Sequence, residues 1–341
     1  MSLDLPLIWA AVIAAAVLLY VLLDGFDLGV GILFPFARSP AERDTMMATV
    51  APVWDGNETW LVLGGGGLFA AFPAAYAVLM PALYLPIYLM LLALVMRGVA
   101  FEFRHSSRRR GKRWWTVAFV AGSTTAAFAQ GLVLGGFIQG TKVVDGAFAG
   151  GPFDWLTPYS LLVGVGVVAG YALLGATWLV WKTSDELHGD ARRWAWRAAV
   201  ATALILAMVS LATLIAQPRA AERWGIFVGY VDWSRILPLS PIPLLGAAGF
   251  AVIALGLKRK SHGWPYAGAA LVFLSGYLGL AAGFFPYVAP YALTFRQAAS
   301  TDSALGLMLG GLAIVAPLIV GYTIWAYWVF RGKVGSDAGY H

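Results

Sequence analysis

Six ionisable residues lie within or beside long apolar stretches of this sequence. They fall at three places, with one pair near the end of the first stretch, one at the start of the second and one at the end of the third: Asp24 and Asp27, Asp55 and Glu58, Arg97 and Glu102. A charged side chain inside a membrane span costs roughly 2.5–3.5 kcal/mol or more, so each is a candidate functional residue. Carboxylates near a cation can take up and release protons, because small changes in environment shift their pKa. The group therefore predicts a proton-transfer or quinone-linked role.

A purely structural explanation of these residues stays open. An aspartate at a helix start, such as Asp55, commonly caps the helix and suits the helix dipole. Arg97 and Glu102 could form a structural pair, or the arginine could extend along the helix to reach the membrane interface. A membrane anchor without any part in proton movement would contain the same residues.

The remaining residue types restrict the chemistry of this chain. Cys is absent, which excludes disulfides, iron–sulfur clusters, thiolate zinc sites and thiolate-ligated haem. The four histidines all fall in predicted loops or in the C-terminal tail: His105, His188, His262 and His341. No haem ligand and no metal site is therefore predicted within the spans.

The elements that position these residues are predicted membrane helices. Of the 341 residues, 60% are hydrophobic and 12% charged, and the mean hydropathy is +0.76. About 20 apolar residues suffice to cross a bilayer. Nine such stretches are predicted: 7–33, 54–72, 76–101, 116–138, 157–182, 195–217, 239–257, 264–287 and 304–330. The sequence thus predicts an all-α polytopic membrane bundle with almost no soluble domain, in which the first stretch is a retained span rather than a signal peptide.

The connections between spans predict the topology. Only residues 73–75 separate the second span from the third, which predicts a tight helical hairpin. Of the 23 Lys and Arg residues, 17 lie in or beside the loops after spans one, three, five and seven or in the C-terminal tail, and five lie on the other side. This bias places the N-terminus outside and the C-terminus in the cytoplasm. The basic run 104–113 is then a cytoplasmic topology determinant that meets anionic lipid, and no nucleic-acid partner is predicted.

Five segments together resemble subunit II of the cytochrome bd-type quinol oxidases, including their cyanide-insensitive members. They are DGFDLGVG at 24–31, APVWDGNETW at 51–60, GGLFAAFP at 66–73, RGVAFEFR at 97–104 and FPYV at 285–288. The resemblance runs in register from about residue 20 to the last span, and the second segment is distinctive for its length.

This resemblance implies a partner, subunit I, that carries two b-type haems and a further haem of d or b type, oxidises quinol and reduces oxygen to water. Subunit II of that family binds no haem, supports assembly and contributes to proton uptake from the cytoplasm. The implied fold is two four-helix bundles, here about 7–138 and 157–287, with a peripheral helix at about 304–330. A structural quinone and a small single-span accessory subunit are further partners that the resemblance allows, in a bacterial inner membrane.

The resemblance also assigns roles to individual residues. It implies a proton-uptake role for Asp55, and the clustering of the carboxylates places Glu58, Asp24 and Asp27 on the same predicted proton pathway. A polar or quinone-associated site is implied at Trp54, Arg97 and Glu102.

Two other functions fit the same carboxylates. A proton-coupled secondary transporter would place polar groups near the midplane of broken helices in both halves of the chain. Here they crowd one end of the first half, which favours the oxidase interpretation. The structural anchor remains the third alternative.

Overall fold

The apolar stretches form long helices, and short polar connections join them. The computed structural model describes residues 3–335, apart from the side chains of His105 and Arg109. The long and short helices in chain order are α1 Leu5–Leu33, α2 Pro40–Val50, α3 Trp54–Ala71, α4 Pro73–Ser106, α5 Arg109–Gln139, α6 Pro158–Lys182, α7 Asp185–Ala216, α8 Pro218–Arg223, α9 Trp233–Leu239, α10 Pro241–Lys258, α11 Trp264–Phe284, α12 Phe295–Ala298 and α13 Asp302–Val329.

Within residues 3–335, a 3₁₀ helix at Phe34–Phe36 and three small antiparallel hairpins complete the secondary structure. The hairpins lie in the loops after α5, α8 and α11. They pair β1 Val143–Val144 with β2 Ala147–Phe148, β3 Ile226–Phe227 with β4 Tyr230–Val231, and β5 Tyr287–Ala289 with β6 Leu293–Thr294. None of them was predicted from the sequence, because strands of two or three residues leave no alternating pattern to detect.

The predicted all-α polytopic membrane fold is confirmed, and each of the nine predicted spans corresponds to a long helix. Eight helices in the described residues are long and apolar enough to cross a membrane. The one predicted span outside these eight is the second, α3, whose hydropathy is lower because its first turns carry Asp55, Asn57 and Glu58. Three boundaries were wrong by five residues or more: α4 continues to Ser106, α5 begins at Arg109 rather than near 116, and α7 begins at Asp185 rather than near 195. Most of the basic run at 104–113 is therefore helical.

The first helix lies at the centre of the packing. It contacts α3, α5 and α6, whereas α4 pairs with α5, α6 with α7, and α10 with α11. The closest approach is between α1 and α6, where a Cβ added at Gly29 would stand 2.7 Å from the backbone nitrogen of Gly175. The last helix lies at the edge, since only Leu305 and Ala326 of α13 are buried. The division into two bundles stays a prediction.

The second and third long helices do not form the tight hairpin that was predicted. Only Phe72 separates α3 from α4, but α3 packs mainly along α1 rather than along α4. The backbone of Phe72 is not helical (φ −130°, ψ 62°), and α4 begins at Pro73 immediately after it. The two helices diverge from this corner and meet again through long side chains near the start of α3.

Those side chains lie toward one end of the bundle, which is called the carboxylate end below. Five of the long helices end there, namely α1, α4, α6, α10 and α13, and four begin there, namely α3, α5, α7 and α11. The three β-hairpins lie at the opposite end, since each follows a helix that runs away from the carboxylate end.

Candidate functional site

The guanidinium of Arg97 lies at the centre of a buried polar group on α1, α3 and α4. Its Nη1 donates to Asp24 Oδ1 at 3.3 Å and to Glu58 Oε1 at 2.8 Å. The side chains of Arg97 and Asp24 are 1% and 0% exposed, and that of Glu58 is 28% exposed. We name Asp24, Asp27, Asn57, Glu58 and Arg97 the Arg97 cluster.

The cluster lies well inside the bundle rather than at the helix ends. Asp24 stands nine residues before the end of α1, and Arg97 nine residues before the end of α4. At a rise of 1.5 Å per residue, each is about 13 Å from its helix terminus. The explanation that these residues are simply solvated at helix ends is therefore wrong for Asp24 and Arg97.

The second carboxylate of α1 is held by an amide instead of the arginine. Asn57 Nδ2 donates to Asp27 Oδ2 at 2.6 Å and to the carbonyl oxygen of Leu23 at 3.2 Å. Asn57 Oδ1 in turn accepts a 2.9 Å hydrogen bond from the hydroxyl of Tyr327 on α13. Asp27 and Asn57 are both buried.

Several buried polar atoms of the cluster have no hydrogen-bond partner among the described residues. They are Asp24 Oδ2, Asp27 Oδ1, Arg97 Nε and Arg97 Nη2. Three carboxylates also face one guanidinium, so the group carries excess negative charge unless it binds protons. Buried charge without a partner is costly, and such an arrangement is typical of a site that exchanges protons or contacts a further molecule.

A line of polar residues continues from the cluster into the centre of the bundle. The hydroxyl of Tyr20, one turn before Asp24 on α1, begins this line. It accepts a 2.7 Å bond from Gln130 Nε2, and Gln130 Oε1 accepts a 2.6 Å bond from Tyr171. The line therefore connects α1 with α5 and α6.

Toward the carboxylate end, the exposure of the acidic groups rises step by step. Asp55, one turn before Glu58 on α3, is exposed. Trp54 precedes Asp55 at the start of α3, and its ring centroid is 5.7 Å from the guanidinium carbon of Arg97 and 5.2 Å from the ring of Phe101. Asp55, Glu58 and Asp24 thus form a series from solvent to the buried interior.

Comparisons with known proteins decide the family. The family model described as cytochrome bd terminal oxidase subunit II matches residues 5–330. The chain belongs to that subunit II family. It is 31% identical to the cytochrome bd ubiquinol oxidase subunit 2 of Bacillus subtilis, with 96% of each chain covered. It is 29% identical to the cytochrome bd-I ubiquinol oxidase subunit 2 of Escherichia coli K12, over 98% of this chain and 96% of the relative.

The fold agrees with that of a solved oxidase. The structure of bd oxidase from Geobacillus thermodenitrificans superposes with a TM-score of 0.78 at 17% identity, covering 97% of this chain and 100% of the other. The resemblance predicted from the sequence motifs is therefore confirmed. As a subunit II, this chain is a multi-pass component of a bacterial respiratory quinol oxidase complex, and a subunit I partner is implied.

Two of the predicted site residues lie apart from the others. Glu102 is exposed and takes part in none of the ion pairs found between residues 3 and 335. The structural pair that it could form with Arg97 is not found, since the guanidinium is paired with Asp24 and Glu58 instead. Asp55 is exposed beside the cluster and is not the N-cap of α3, which is Val53. Their roles stay predictions.

The prediction that all four histidines lie in loops or in the C-terminal tail was wrong for two of them. His105 lies in the last turn of α4 and His188 in the first turn of α7. His262 lies in the loop after α10, with its ring centroid 5.2 Å from that of His188, and His341 falls outside the described residues. Among the described residues, no group of three or more His, Cys, Asp or Glu side chains is placed to hold a metal ion.

The neutral members of the site were not predicted from the sequence. Asn57 stands inside the WDGN segment, and its position between two acidic residues was a usable signal. Tyr327 and Gln130 gave no signal, because a tyrosine or glutamine in an apolar helix is not unusual and their partners are far away in sequence. Only tertiary packing brings them to the carboxylates.

Proposed function

We propose that this chain is the haem-free subunit II of a cytochrome bd-type quinol oxidase, and that it supports assembly of the haem-bearing subunit and contributes to proton uptake. The observation that carries the proton role is the series Asp55, Glu58 and Asp24, whose exposure falls to zero next to one guanidinium. Reduction of oxygen to water consumes protons, so a path from the surface to the interior has a direct use in this complex.

In this proposal each residue has a distinct task. Asp55 exchanges protons with water at the surface, and Glu58, one turn further along α3, passes them inward. Asp24 and Asp27 hold protons in the interior, where Arg97 balances part of their charge. Arg97 also fixes the relative position of α1, α3 and α4, because its Nη1 bridges Asp24 and Glu58. Trp54, half-buried beside the guanidinium, is the side chain of this site that a quinone head group would contact.

The proton role is tested in the purified complex by two conservative variants. Asp55→Asn and Glu58→Gln keep size and most hydrogen bonding but cannot carry a titratable proton. We expect normal haem spectra, with quinol-driven oxygen consumption per haem lowered by about tenfold or more, as is typical when an acid–base group is removed. Glu102→Gln is the matched control, since it neutralises an exposed carboxylate at the same end of the bundle.

Wild-type turnover in both Asp55→Asn and Glu58→Gln would overturn the proton pathway and favour a purely structural subunit. A loss in Glu102→Gln equal to that in the other two would instead indicate a general charge effect at this surface.

The haem-free character is tested on the chain alone. Purified without its partner in mild detergent, it should show no Soret absorbance, and the complex should show the haem bands of the partner. A stoichiometric haem on the isolated chain would contradict this part of the proposal.

The direction of proton uptake depends on topology. The excess of Lys and Arg at the carboxylate end supports a cytoplasmic position for that end. Reporter fusions after Arg113 and after Ala299 should report cytoplasmic and external positions respectively. The reverse result would move the Asp55 surface outside and remove uptake from the cytoplasm.

A further inference from the structure

The hydrogen bonds of Asn57 leave its amide only one orientation. Nδ2 faces the Leu23 carbonyl and Asp27 Oδ2, and neither an ionised carboxylate nor a carbonyl can donate a hydrogen bond. The amide oxygen must therefore point the other way, toward α13. There it meets the hydroxyl of Tyr327, which donates to it at 2.9 Å. Each polar group of this amide has a partner.

This orientation makes the two oxygens of Asp27 unequal. Oδ2 already accepts a short hydrogen bond, whereas Oδ1 is buried with no partner among the described residues. A proton on Oδ2 would weaken the hydrogen bond from Asn57, because a protonated carboxyl oxygen is a poorer acceptor. A proton on Oδ1 leaves that bond in place.

We propose that Tyr327 is a positioning residue that acts through Asn57 to direct proton exchange on Asp27 to Oδ1. This inference rests on the proposed proton role of the Arg97 cluster. It adds α13, which otherwise lies at the edge of the bundle, to the elements on which that role depends. Without the hydroxyl, Asn57 Oδ1 becomes a buried acceptor without a partner, and the amide is free to turn away from Asp27.

The aromatic surroundings of Tyr327 offer a matched control. Its ring makes edge contacts with Phe26 at 6.4 Å and with Trp178 at 6.2 Å. Tyr266 on α11 makes the same two kinds of contact, at 6.0 Å and 5.6 Å, but its hydroxyl donates to the carbonyl of Leu22 and not to Asn57. Tyr266→Phe therefore loses one hydroxyl from the same aromatic group without freeing the amide.

The charged and titratable groups that interact with Asp27 come from five helices. They are Asp24 on α1, Glu58 on α3, Arg97 on α4, Tyr266 on α11 and Tyr327 on α13. Replacing Tyr327 by phenylalanine leaves all the charges in place. A change in the pH dependence of turnover then reports the lost orientation of Asp27 rather than a lost charge.

The experiment compares Tyr327→Phe with Tyr266→Phe in the purified complex at equal haem content. Tyr327→Phe should lower turnover at saturating quinol by about fivefold, the factor that one net hydrogen bond provides, and should shift the pH profile of kcat. Tyr266→Phe should keep wild-type turnover and pH profile. Equal behaviour of the two variants would overturn the inference.

A double variant tests whether the effect passes through the amide. If Tyr327 acts through Asn57, then Asn57→Leu with Tyr327→Phe is no slower than Asn57→Leu alone, because the intermediary is already gone. Independent multiplication of the two losses would contradict the inference. If Asn57→Leu does not assemble, Asn57→Ala provides the same comparison.

One further variant separates this inference from the proposed function. If Asp27→Asn keeps wild-type turnover, the proton role of Asp27 fails, and the inference fails with it. If Asp27→Asn is slow while Tyr327→Phe matches Tyr266→Phe, only the positioning role of Tyr327 is wrong.

Discussion

Two arginines of α4 lie seven residues apart, or about 10 Å along the helix, and both are buried, yet their surroundings differ. Arg97 faces three carboxylates, and its Nε and Nη2 have no partner among the described residues. Arg104 donates from Nε to Thr116 at 3.0 Å and from Nη1 to Asp44 at 2.7 Å. We name Asp44, Arg104, Lys112 and Thr116 the Arg104 cluster.

The two clusters differ in charge and in access to water as well. Lys112 Nζ donates to the second oxygen of Asp44 at 2.9 Å, so both oxygens of this carboxylate are satisfied. The side chain of Asp44 is 45% exposed. Two cations face one carboxylate in the Arg104 cluster. In the Arg97 cluster three carboxylates face one cation, in the buried interior. Satisfied groups beside water stabilise a fold, while unsatisfied groups with excess charge can change protonation state. The comparison therefore supports a stabilising role for the Arg104 cluster and the proposed proton role for the Arg97 cluster.

The largest effect is expected from Arg97→Ala. It leaves Asp24 and Glu58 without a cation, and breaking a buried ion pair in this way typically costs roughly 3–5 kcal/mol. Little complex should then be recovered from the membrane, measured as haem-bearing oxidase after mild detergent extraction. The triple variant Arg97→Gln, Asp24→Asn and Glu58→Gln removes the charge from both members of each ion pair. It should restore assembly without restoring turnover. Wild-type yield of the single variant would remove the distinction between the two clusters.

Gly29→Ala should disturb the Arg97 cluster and spare the Arg104 cluster. An added Cβ would overlap the carbonyl oxygen of Tyr171 and stand 2.7 Å from the backbone nitrogen of Gly175, so α1 must move away from α6. Overpacking of this kind costs about 1–3 kcal/mol, which thermal unfolding of the complex would measure. Gly66→Ala is the control, because its added Cβ would meet nothing within 4 Å. If both variants unfold alike, close packing of α1 does not hold the site.

A matched pair of charge-removing variants compares the clusters directly. Asp24→Asn should lower quinol-driven oxygen consumption per haem by about tenfold, as expected for a lost acid–base group. Asp44→Asn makes the same chemical change near Arg104 and should keep wild-type turnover. Equal turnover in the two variants would show that the buried position of Asp24 has no consequence for the reaction.

The smallest effect concerns the pH dependence of stability at Asp44. Burial raises the pKa of this carboxyl, but hydrogen bonds from Lys112 and Arg104 outweigh that effect and hold the pKa below its ordinary value. A carboxyl whose pKa is lower in the folded state than in the unfolded state stabilises the fold. This stabilisation is fully present above the pKa of the unfolded state, about 3.9, and is lost as the pH falls through the pKa of the folded state. The melting temperature of the wild type should exceed that of Asp44→Asn at neutral pH.

That difference should shrink as the pH falls below about 4. Because Asp44 is nearly half exposed, we expect a modest change, which thermal scans of the complex at several pH values would detect. A difference that grows on acidification would mean that Asp44 is not stabilised as a carboxylate.

Part of the candidate site could be predicted because ionisable residues are rare in apolar helices. Asp24, Asp27, Glu58 and Arg97 were all selected on this ground, and they do come together. Helical geometry would also have excluded Glu102. Five residues of α-helix turn through about 140° beyond a full circle, so Glu102 cannot share a face with Arg97.

The neutral residues could not be predicted by the same reasoning. A buried asparagine, tyrosine or glutamine costs little when it is paired, and its pairing depends on helices distant in sequence. Asn57 and Tyr327 are 270 residues apart, and Tyr171 is 41 residues from Gln130. A single sequence does not show which helix faces pack against each other.

The sequence by itself determined the membrane helices, their order and the presence of acidic groups among them. Apolar stretches of this length can satisfy their backbone in a bilayer only as helices, so composition settles the class of fold. Tertiary structure decided which carboxylate reaches which cation. The direction in which α3 leaves the corner at Phe72 and the close contact of Gly29 with α6 fix the distances between side chains. Those distances depend on long-range packing, and they make Arg97 and Arg104 different although the same helix carries both.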